Sequence, residues 1–277
     1  MMLRLILLGI VQGLTEFLPV SSSAHLVFAE AILGIPRPGV FLEVILHLGT
    51  LVALVVAFRE DLVAITRGFF LSLLRPREWV YGNPHRRGIP WEGRLAWLIL
   101  VGSVPTGLMG LFFEQVFERI FASITLVAMF LLVTGAILLV SERRSASRPL
   151  QEARVLDALT IGFAQGLAIA PGISRSGITI AAGLWRGMDR EASARFSFLL
   201  AIPAILGASL YKAKEMALAQ AMGFTLFQLL LAFGTSVVTG YLAIRWMLEI
   251  VRRARLFWFA YYCLGLGLFV LIFSLLR

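Results

Sequence analysis

The amino-acid sequence predicts an all-α polytopic membrane protein. It is expected to contain two inverted-topology repeats, with six full transmembrane helices and two re-entrant helical hairpins that meet near the bilayer midplane. Three observations support this fold class: a strongly apolar composition, a motif that occurs twice, and an uneven distribution of basic residues. The whole chain, residues 1–277, is expected to form a single membrane domain.

The composition is that of a chain that resides in a lipid bilayer. Hydrophobic residues make up 59% of the chain, charged residues only 15%, and the mean hydropathy is +0.89. Soluble domains carry about 25% charged residues, and a helix needs about 20 apolar residues to cross a bilayer. Six apolar stretches fit this requirement: residues 40–58, 95–113, 120–140, 196–211, 222–244 and 256–276.

The net charge of +9 does not point to nucleic acid. The basic residues lie in short segments between apolar stretches, as topology signals do, and they form no basic stripe interleaved with aromatic residues. The single cysteine, Cys263, lies in an apolar stretch and is expected to be a small core residue. We therefore expect no nucleic-acid partner.

The second observation is an internal repeat. Gly9-Ile-Val-Gln-Gly-Leu14 recurs as Gly162-Phe-Ala-Gln-Gly-Leu167, and each copy is followed by a proline and a cluster of serines. The order and spacing of these features divide the chain into repeats at residues 1–145 and 150–277. The polar stretch 142–154 joins them.

A polar turn interrupts the apolar pattern after each copy of the motif. Pro19 and Pro171 should end a helix, because proline disfavours helical geometry in the preceding residue and lacks an amide hydrogen. Irregular backbone survives at membrane depth only when it is buried in protein or lines a water-filled cavity. Each copy therefore predicts a hairpin that enters the membrane, turns and returns.

The basic residues orient the chain. The expected loops 59–94, 142–155, 186–195 and 245–255 carry 18 of the 25 lysines and arginines, against six on the other side. The positive-inside rule places these segments in the cytoplasm and both termini outside. The two hairpins then enter from opposite sides, and their tips meet near the midplane, where inverted-repeat folds build binding sites.

The two polar turns carry ionisable residues at membrane depth. The first turn supplies Glu16 and His25, and the second supplies Arg175. Charged groups in the bilayer cost a few kcal/mol, so they usually mark a functional site. The alternative is that Glu16 and Arg175 form an ion pair that only holds the hairpins together.

The serine clusters indicate a receptor for phosphate. They precede segments that can be helical, so they lie where N-caps belong, and helix N-termini bind anions. The planar guanidinium of Arg175 suits phosphate oxygens. The residues expected to bind phosphate are Ser21, Ser23, Ser174, Ser176 and Thr179.

The first turn also suggests an activated nucleophile. Glu16 and His25 lie on opposite arms of the turn and can face each other, and Ser22 precedes His25 by one helical turn. A histidine beside a serine and a carboxylate is the general pattern of an activated hydroxyl. Alternatively, His25 itself attacks phosphorus, or Glu16 binds a divalent cation that bridges a diphosphate. The chemistry favours phosphoryl transfer.

Residues 12–25, Gln-Gly-Leu-Thr-Glu-Phe-Leu-Pro-Val-Ser-Ser-Ser-Ala-His, and residues 171–179, Pro-Gly-Ile-Ser-Arg-Ser-Gly-Ile-Thr, resemble the two signature motifs of the undecaprenyl-diphosphate phosphatase family of bacteria, associated with bacitracin resistance. The similarity extends over residues 41–49 and 196–203. It implies hydrolysis of undecaprenyl diphosphate to undecaprenyl phosphate and inorganic phosphate, which recycles the lipid carrier for peptidoglycan synthesis. It also implies the inner membrane, an extracytoplasmic active site, and Mg²⁺ or Ca²⁺ as cofactor.

The resemblance assigns catalytic roles to Glu16, Ser22, His25 and Arg175. It implies a metal site at Glu16, to which Gln12 can add a carbonyl ligand, although some family members have a glutamate in place of Gln12. Two further residues align with the family. Glu43 matches a family glutamate and is a candidate accessory residue. His47 stands where relatives often have glutamine and is expected to be a hydrogen-bonded core histidine.

The competing interpretation is a transporter, because inverted repeats with midplane sites are a transporter architecture. A flippase would move a lipid phosphate between leaflets with the same arginine and hydroxyls, but it would need no nucleophile or general base. The grouping of Ser22, His25 and Glu16 therefore favours the hydrolase. The sequence leaves open whether the protein forms a homodimer.

Overall fold

The structure is a computed structural model that describes residues 1–35, 40–74, 91–121, 123–144, 146–218, 224–253 and 256–275. The described residues form eleven α-helices: α1 (Met2–Phe17), α2 (Ser22–Leu33), α3 (Val40–Ala57), α4 (Arg59–Leu74), α5 (Trp91–Phe121), α6 (Ile124–Glu142), α7 (Val155–Leu167), α8 (Arg175–Trp185), α9 (Arg190–Leu218), α10 (Leu226–Arg252) and α11 (Phe257–Leu275). A short 3₁₀ helix, Leu150–Glu152, lies between α6 and α7.

Five of the described helices, α5, α6, α9, α10 and α11, are long and apolar enough to cross a membrane. A sixth crossing results if α3 and α4, which are bent by 79° at Phe58, count as one span. The predicted class, an all-α polytopic membrane protein, is therefore confirmed.

The expectation that residues 59–94 form a loop is wrong for its first part, which is α4. The helix begins with three charged residues, Arg59-Glu60-Asp61, so it does not stand out as an apolar stretch in the sequence. Packing against α5 stabilises it, because Gly68 lies against the backbone of Gly93 and the Trp97 indole donates a hydrogen bond to Ser72 at 2.9 Å. Residues 75–90, which continue the predicted loop, lie outside the described residues.

The two predicted turns interrupt helices where the prolines require it. Helix α1 ends at Phe17, and α2 begins at Ser22 after the N-cap Ser21. Helix α7 ends at Leu167, and α8 begins at Arg175 after the N-cap Ser174. The helix ends and the capping serines predicted from the sequence are thus confirmed. In each hairpin the two arms contact each other.

The repeated Gly-x-x-x-Gly motif has a packing role. The first arms pack reciprocally, α1 against α10 and α7 against α5. A Cβ at Gly9 would collide with Thr235, and one at Gly162 would collide with the carbonyl of Gly102. The Thr239 hydroxyl lies 3.4 Å from the carbonyl of Gly9, and the Thr106 hydroxyl lies 2.9 Å from the carbonyl of Gly162. Small residues at this spacing let membrane helices approach closely.

Ion pairs connect the segments that were predicted to share the cytoplasmic side. Arg195 of α9 pairs with Asp61 of α4 at 2.6 Å, and Arg190 of α9 pairs with Glu142 of α6 at 3.2 Å. Arg252 of α10 pairs with Glu191 of α9 at 2.9 Å. The segments therefore meet at one end of the bundle, as the basic-residue pattern predicts.

At the same end, Asp157 fixes the base of the second hairpin. Its side chain is buried and accepts hydrogen bonds from Arg148 at 2.6 Å, Arg186 at 2.8 Å and the backbone amide of Arg154 at 2.8 Å. The hydrogen bond to Asp157 raises the pKa of Arg148. This cluster ties the polar stretch after α6 to the start of α7 and the end of α8.

Candidate active site

Glu16 is the centre of the site. It lies in the last turn of α1, where its side chain is 7% exposed. Its Oε2 accepts hydrogen bonds from the Ser22 hydroxyl at 2.6 Å and from the Gln12 amide, one helical turn earlier, at 3.0 Å. The first polar turn therefore folds back so that the start of α2 faces the end of α1.

Arg175 reaches the same carboxylate from the second hairpin. Its Nη2 donates to Glu16 Oε1 at 2.7 Å, and its side chain is 14% exposed. Arg175 is the first residue of α8, and Ser22 is the first residue of α2. Equivalent positions of the two hairpins thus converge on one carboxylate.

The tips of the hairpins are also tied together directly. The Ser176 hydroxyl donates to the carbonyl of Leu18 at 2.9 Å, and the Ser23 hydroxyl accepts from the amide of Gly172 at 3.4 Å. Both serines are the second residue of their helix, and each bonds to the backbone of the opposite turn. The two turns therefore form one contiguous site.

Ser21 has a strained backbone at the first tip. Its φ of 67° and ψ of 94° make it the one non-glycine residue with positive φ among the described residues. Such a conformation costs about 1–3 kcal/mol and concentrates at functional sites. Its side chain caps the amide of Ala24 at 3.4 Å and lies 3.1 Å from the Ser23 hydroxyl, while its carbonyl faces His25.

His25 has two partners. Its Nδ1 lies 2.8 Å from the Ser21 carbonyl, and its Nε2 lies 2.7 Å from the Tyr262 hydroxyl. Because a carbonyl only accepts, Nδ1 carries the proton, and neutral Nε2 accepts from the phenol. Tyr262 in α11 also stacks on the imidazole, with ring centroids 5.6 Å apart. The expected pairing with Glu16 is not what orients this ring.

The hydroxyls of the second turn are engaged within the protein. Ser174 caps the amide of Gly177 at 3.1 Å, and its own amide donates to Thr134 at 2.9 Å. The buried Thr179 hydroxyl lies 2.6 Å from the carbonyl of Arg175 and 2.6 Å from the Ser197 hydroxyl, so it links α8 to α9. Its expected contact with phosphate stays a prediction.

His47 also lies beside Glu16, although the sequence predicts a core histidine at this position. Its Nε2 lies 3.8 Å from Glu16 Oε2, its side chain is 34% exposed, and its Nδ1 lies 2.8 Å from the carbonyl of Glu43. It is hydrogen-bonded, as expected, but it is not a core residue. Glu43 is partly exposed and positions His47 through its backbone. The sequence does not show that Glu43 and His47 of α3 lie beside the site, because this depends on the tertiary fold.

Two buried polar atoms of the site have no hydrogen-bond partner among the described residues, Gln12 Oε1 and Arg175 Nη1. Buried polar groups are nearly always paired, so each exception needs an explanation. One is an acceptor and the other a donor on a permanent cation. A ligand that carries both positive and negative groups, such as a metal diphosphate, would satisfy both.

The donor set fits a divalent cation only if the substrate completes it. Within the described ranges, no three histidine, cysteine or acidic side chains gather into a metal cluster. Glu16 offers one carboxylate, and Gln12 offers one amide oxygen. Mg²⁺ is commonly held by one or two carboxylates together with substrate phosphates. The expected site at Glu16 and Gln12 therefore suits a cation shared with a diphosphate.

Fold and site together define a class: a polytopic membrane protein in which two helix–turn–helix hairpins hold a buried carboxylate against an arginine. A family model described as bacitracin resistance protein BacA matches residues 5–269. The chain belongs to this family.

Curated relatives extend over nearly the whole chain. The undecaprenyl-diphosphatase of Methanosphaera stadtmanae is 45% identical and covers 98% of this chain and 98% of its own length. That of Carboxydothermus hydrogenoformans is 43% identical, over 96% of this chain and 95% of its own. The undecaprenyl-diphosphatase of Methanobrevibacter smithii is 42% identical and covers 99% of this chain and 98% of its own length.

Proposed function

We propose that this protein hydrolyses undecaprenyl diphosphate to undecaprenyl phosphate and inorganic phosphate, and so recycles the lipid carrier for cell-wall synthesis. The single observation that carries the proposal is the 2.7 Å contact between Arg175 and Glu16, with the Ser22 hydroxyl 2.6 Å from the same carboxylate. Its relatives that align over the full chain bear the name of this activity.

Arg175 is the main binding group for the diphosphate. Nη2 holds Glu16, while Nη1 is a buried donor without a partner and can bond a phosphate oxygen. The N-termini of α2 and α8 meet at the same place, and the first amides of a helix have no partner within the helix. Guanidinium and free amides together make a receptor for several phosphate oxygens.

The reaction transfers the terminal phosphoryl group to water. The bond between the terminal phosphorus and the bridging oxygen breaks, and its electron pair leaves with undecaprenyl phosphate. Glu16 accepts the hydrogen bond of Ser22, so it can take the hydroxyl proton if Ser22 attacks phosphorus. Attack by His25, or by a water molecule, stays an alternative for the first step.

The cofactor we propose is Mg²⁺ or Ca²⁺, held by Glu16 and the amide oxygen of Gln12. When bound, it would neutralise charge on the diphosphate oxygens. The chain's own contribution is to place Glu16 and Gln12 on one face of α1, one helical turn apart, and a half-turn of the Gln12 amide would direct its oxygen toward the carboxylate.

For the location we propose the inner membrane, with both termini and the active site on the extracytoplasmic side. The support is the distribution of basic residues, since the ion-paired end of the bundle is the arginine-rich one. We also propose that the hairpins are re-entrant, that the two halves are inverted repeats, and that α3 is the sixth crossing, with α4 starting at its cytoplasmic end. The reciprocal packing of α1 and α7 supports this arrangement.

The test is phosphate release from farnesyl diphosphate by detergent-purified protein, with and without a chelator. We expect activity that the chelator abolishes and that Mg²⁺ or Ca²⁺ restores. Arg175→Ala and Glu16→Ala should each lower the rate at least about a hundredfold, because each leaves the other charge buried and unpaired and removes a group that contacts substrate.

Comparable turnover by either variant would refute these assignments. The alternative function, a lipid-phosphate flippase, has no support in the names of the relatives above. It would regain support only if a variant without hydrolysis still translocated lipid in proteoliposomes.

A further inference from the structure

His47 is positioned so that Nε2 can bind a ligand. Its Nδ1 faces the carbonyl of Glu43 at 2.8 Å, one turn earlier in α3. Because a carbonyl oxygen only accepts, Nδ1 carries a hydrogen, so Nε2 is the ring nitrogen that can bind a ligand. Metal-binding histidines are held in the same way, with the second nitrogen bonded to a backbone carbonyl.

The Nε2 atom faces the carboxylate of Glu16. Nε2 lies 3.8 Å from Glu16 Oε2, which is beyond hydrogen-bonding distance. A positive group between these two atoms, either a proton on Nε2 or a bound cation, stabilises their approach. A cation about 2.1 Å from each of two donors can join atoms up to about 4.2 Å apart, so the observed separation fits one shared ion.

A third donor can join them. Gln12 is fully buried, its nitrogen lies 3.0 Å from Glu16 Oε2, and its oxygen has no partner among the described residues. A half-turn of the amide group would bring the oxygen to the position of the nitrogen. Two ligands about 2.1 Å from an ion and at right angles to each other are about 3.0 Å apart.

We propose that His47 is a ligand of the divalent cation, together with Glu16 and Gln12, and that it gives the site a preference for cations that accept nitrogen, such as Mn²⁺, over Ca²⁺. Imidazole suits transition metals, whereas Ca²⁺ takes oxygen ligands. The inference rests on the proposed function, because phosphate oxygens of the substrate or product complete the coordination.

The experiment detects the nitrogen ligand directly. Purified protein with ¹⁵N-labelled histidine is loaded with Mn²⁺, with and without inorganic phosphate, and examined by electron spin-echo spectroscopy for coupling between the metal and ¹⁵N. The chain has three histidines, so variants can assign the signal. We expect one coupled nitrogen that disappears in His47→Gln and persists in the matched control His25→Gln.

Selectivity is the second measurement. His47→Gln should lower the ratio of phosphatase activity with Mn²⁺ to that with Ca²⁺ about tenfold, since it removes the nitrogen ligand and retains a polar side chain. Gel filtration and thermal melting of the variant check that it is folded. A variant that loses activity equally with both cations contradicts the selectivity claim.

Other outcomes overturn the proposal while leaving the function intact. Bound Mn²⁺ without nitrogen coupling, coupling that survives His47→Gln, or failure to bind Mn²⁺ in a protein that hydrolyses farnesyl diphosphate with Mg²⁺ would each exclude His47 as a ligand. Failure of the proposed function looks different, because then no cation supports hydrolysis in the unaltered protein.

Discussion

The two hairpins share a scaffold but not their chemistry. Both begin with the same glycine-spaced motif, turn at a proline, restart at a capping serine and place a serine against the opposite turn. The reactive positions differ. Alignment of Gln12 with Gln165 makes Glu16 equivalent to Ile169. Alignment of the N-caps Ser21 and Ser174 makes Ser22 equivalent to Arg175 and His25 equivalent to Ile178.

The glutamine that the two hairpins share has a different role in each hairpin. Gln12 donates to Glu16 at 3.0 Å and so belongs to the site. Gln165 donates to Thr106 at 3.2 Å and to the carbonyl of Leu200 at 3.4 Å, so it ties α7 to α5 and α9. Its Oε1, like that of Gln12, is buried without a partner among the described residues.

The residues that the two hairpins share position their helices, whereas the residues of the candidate site are those in which the hairpins differ. The first turn supplies the carboxylate, hydroxyl and imidazole, and the second supplies the permanent cation. Neither hairpin alone contains both the carboxylate and the arginine of the candidate site. The cross-ties from Ser23 and Ser176 hold the two contributions together.

The largest effect should come from exchanging a reactive residue that has an inert equivalent. His25→Gln should lower phosphate release from farnesyl diphosphate about a hundredfold or more, because an amide can hydrogen-bond but cannot serve as base or nucleophile. Ile178→Val, the equivalent change in the second hairpin, should alter the rate less than about threefold. Equal losses in the two variants would mean that the hairpins do not divide the chemistry as described.

A second test compares how tightly the hairpins pack. A Cβ at Gly13 would meet the backbone nitrogen of Gly240 at 2.7 Å, whereas one at the equivalent Gly166 would meet the flexible Met109 side chain, with Sδ at 2.5 Å. Backbone cannot move aside as a methionine can. Gly13→Ala should therefore destabilise the protein by about 2 kcal/mol. Gly166→Ala should be nearly neutral, since the helical preference of alanine offsets a small rearrangement.

Thermal melting of both variants in detergent measures this difference. A melting temperature clearly lower for Gly13→Ala than for Gly166→Ala is the expected result. If Gly166→Ala is the more damaging of the two, then the second hairpin, not the first, is the more rigidly held, and the packing contrast is reversed.

Much of this arrangement could be predicted from the sequence because local rules determine it. Proline and serine fix where α1 and α7 end and where α2 and α8 begin, and apolar length identifies the long helices. The pairing of Glu16 with Arg175 was predictable because a repeat places both at hairpin tips.

Contacts that depend on tertiary packing could not be predicted. Helix α4 begins with charged residues and is stabilised by its fit against α5. Tyr262 and His47 lie in or beside apolar runs, where an aromatic or a single histidine usually belongs to the core. Nothing in their spacing shows that one reaches His25 and the other approaches Glu16.

The smallest expected effect concerns Tyr262, which has no equivalent contact in the second hairpin because Ile178 replaces His25. Its hydroxyl donates to His25 Nε2 at 2.7 Å, so we expect it to position the ring. One such hydrogen bond contributes about 1 kcal/mol, so Tyr262→Phe should lower kcat about fivefold and leave KM nearly unchanged. Tyr261→Phe is the matched control, since Tyr261 is the adjacent, exposed tyrosine.

A ¹⁵N spectrum of the histidines separates positioning from a general structural effect. In Tyr262→Phe, the Nε2 resonance of His25 should move toward that of an imidazole nitrogen with a free lone pair, while Nδ1 stays protonated against the Ser21 carbonyl. The melting temperature should hardly change. An unchanged Nε2 resonance, or equal kcat in the two tyrosine variants, would mean that the Ser21 carbonyl alone orients His25, and the first hairpin would then hold its imidazole without help from α11.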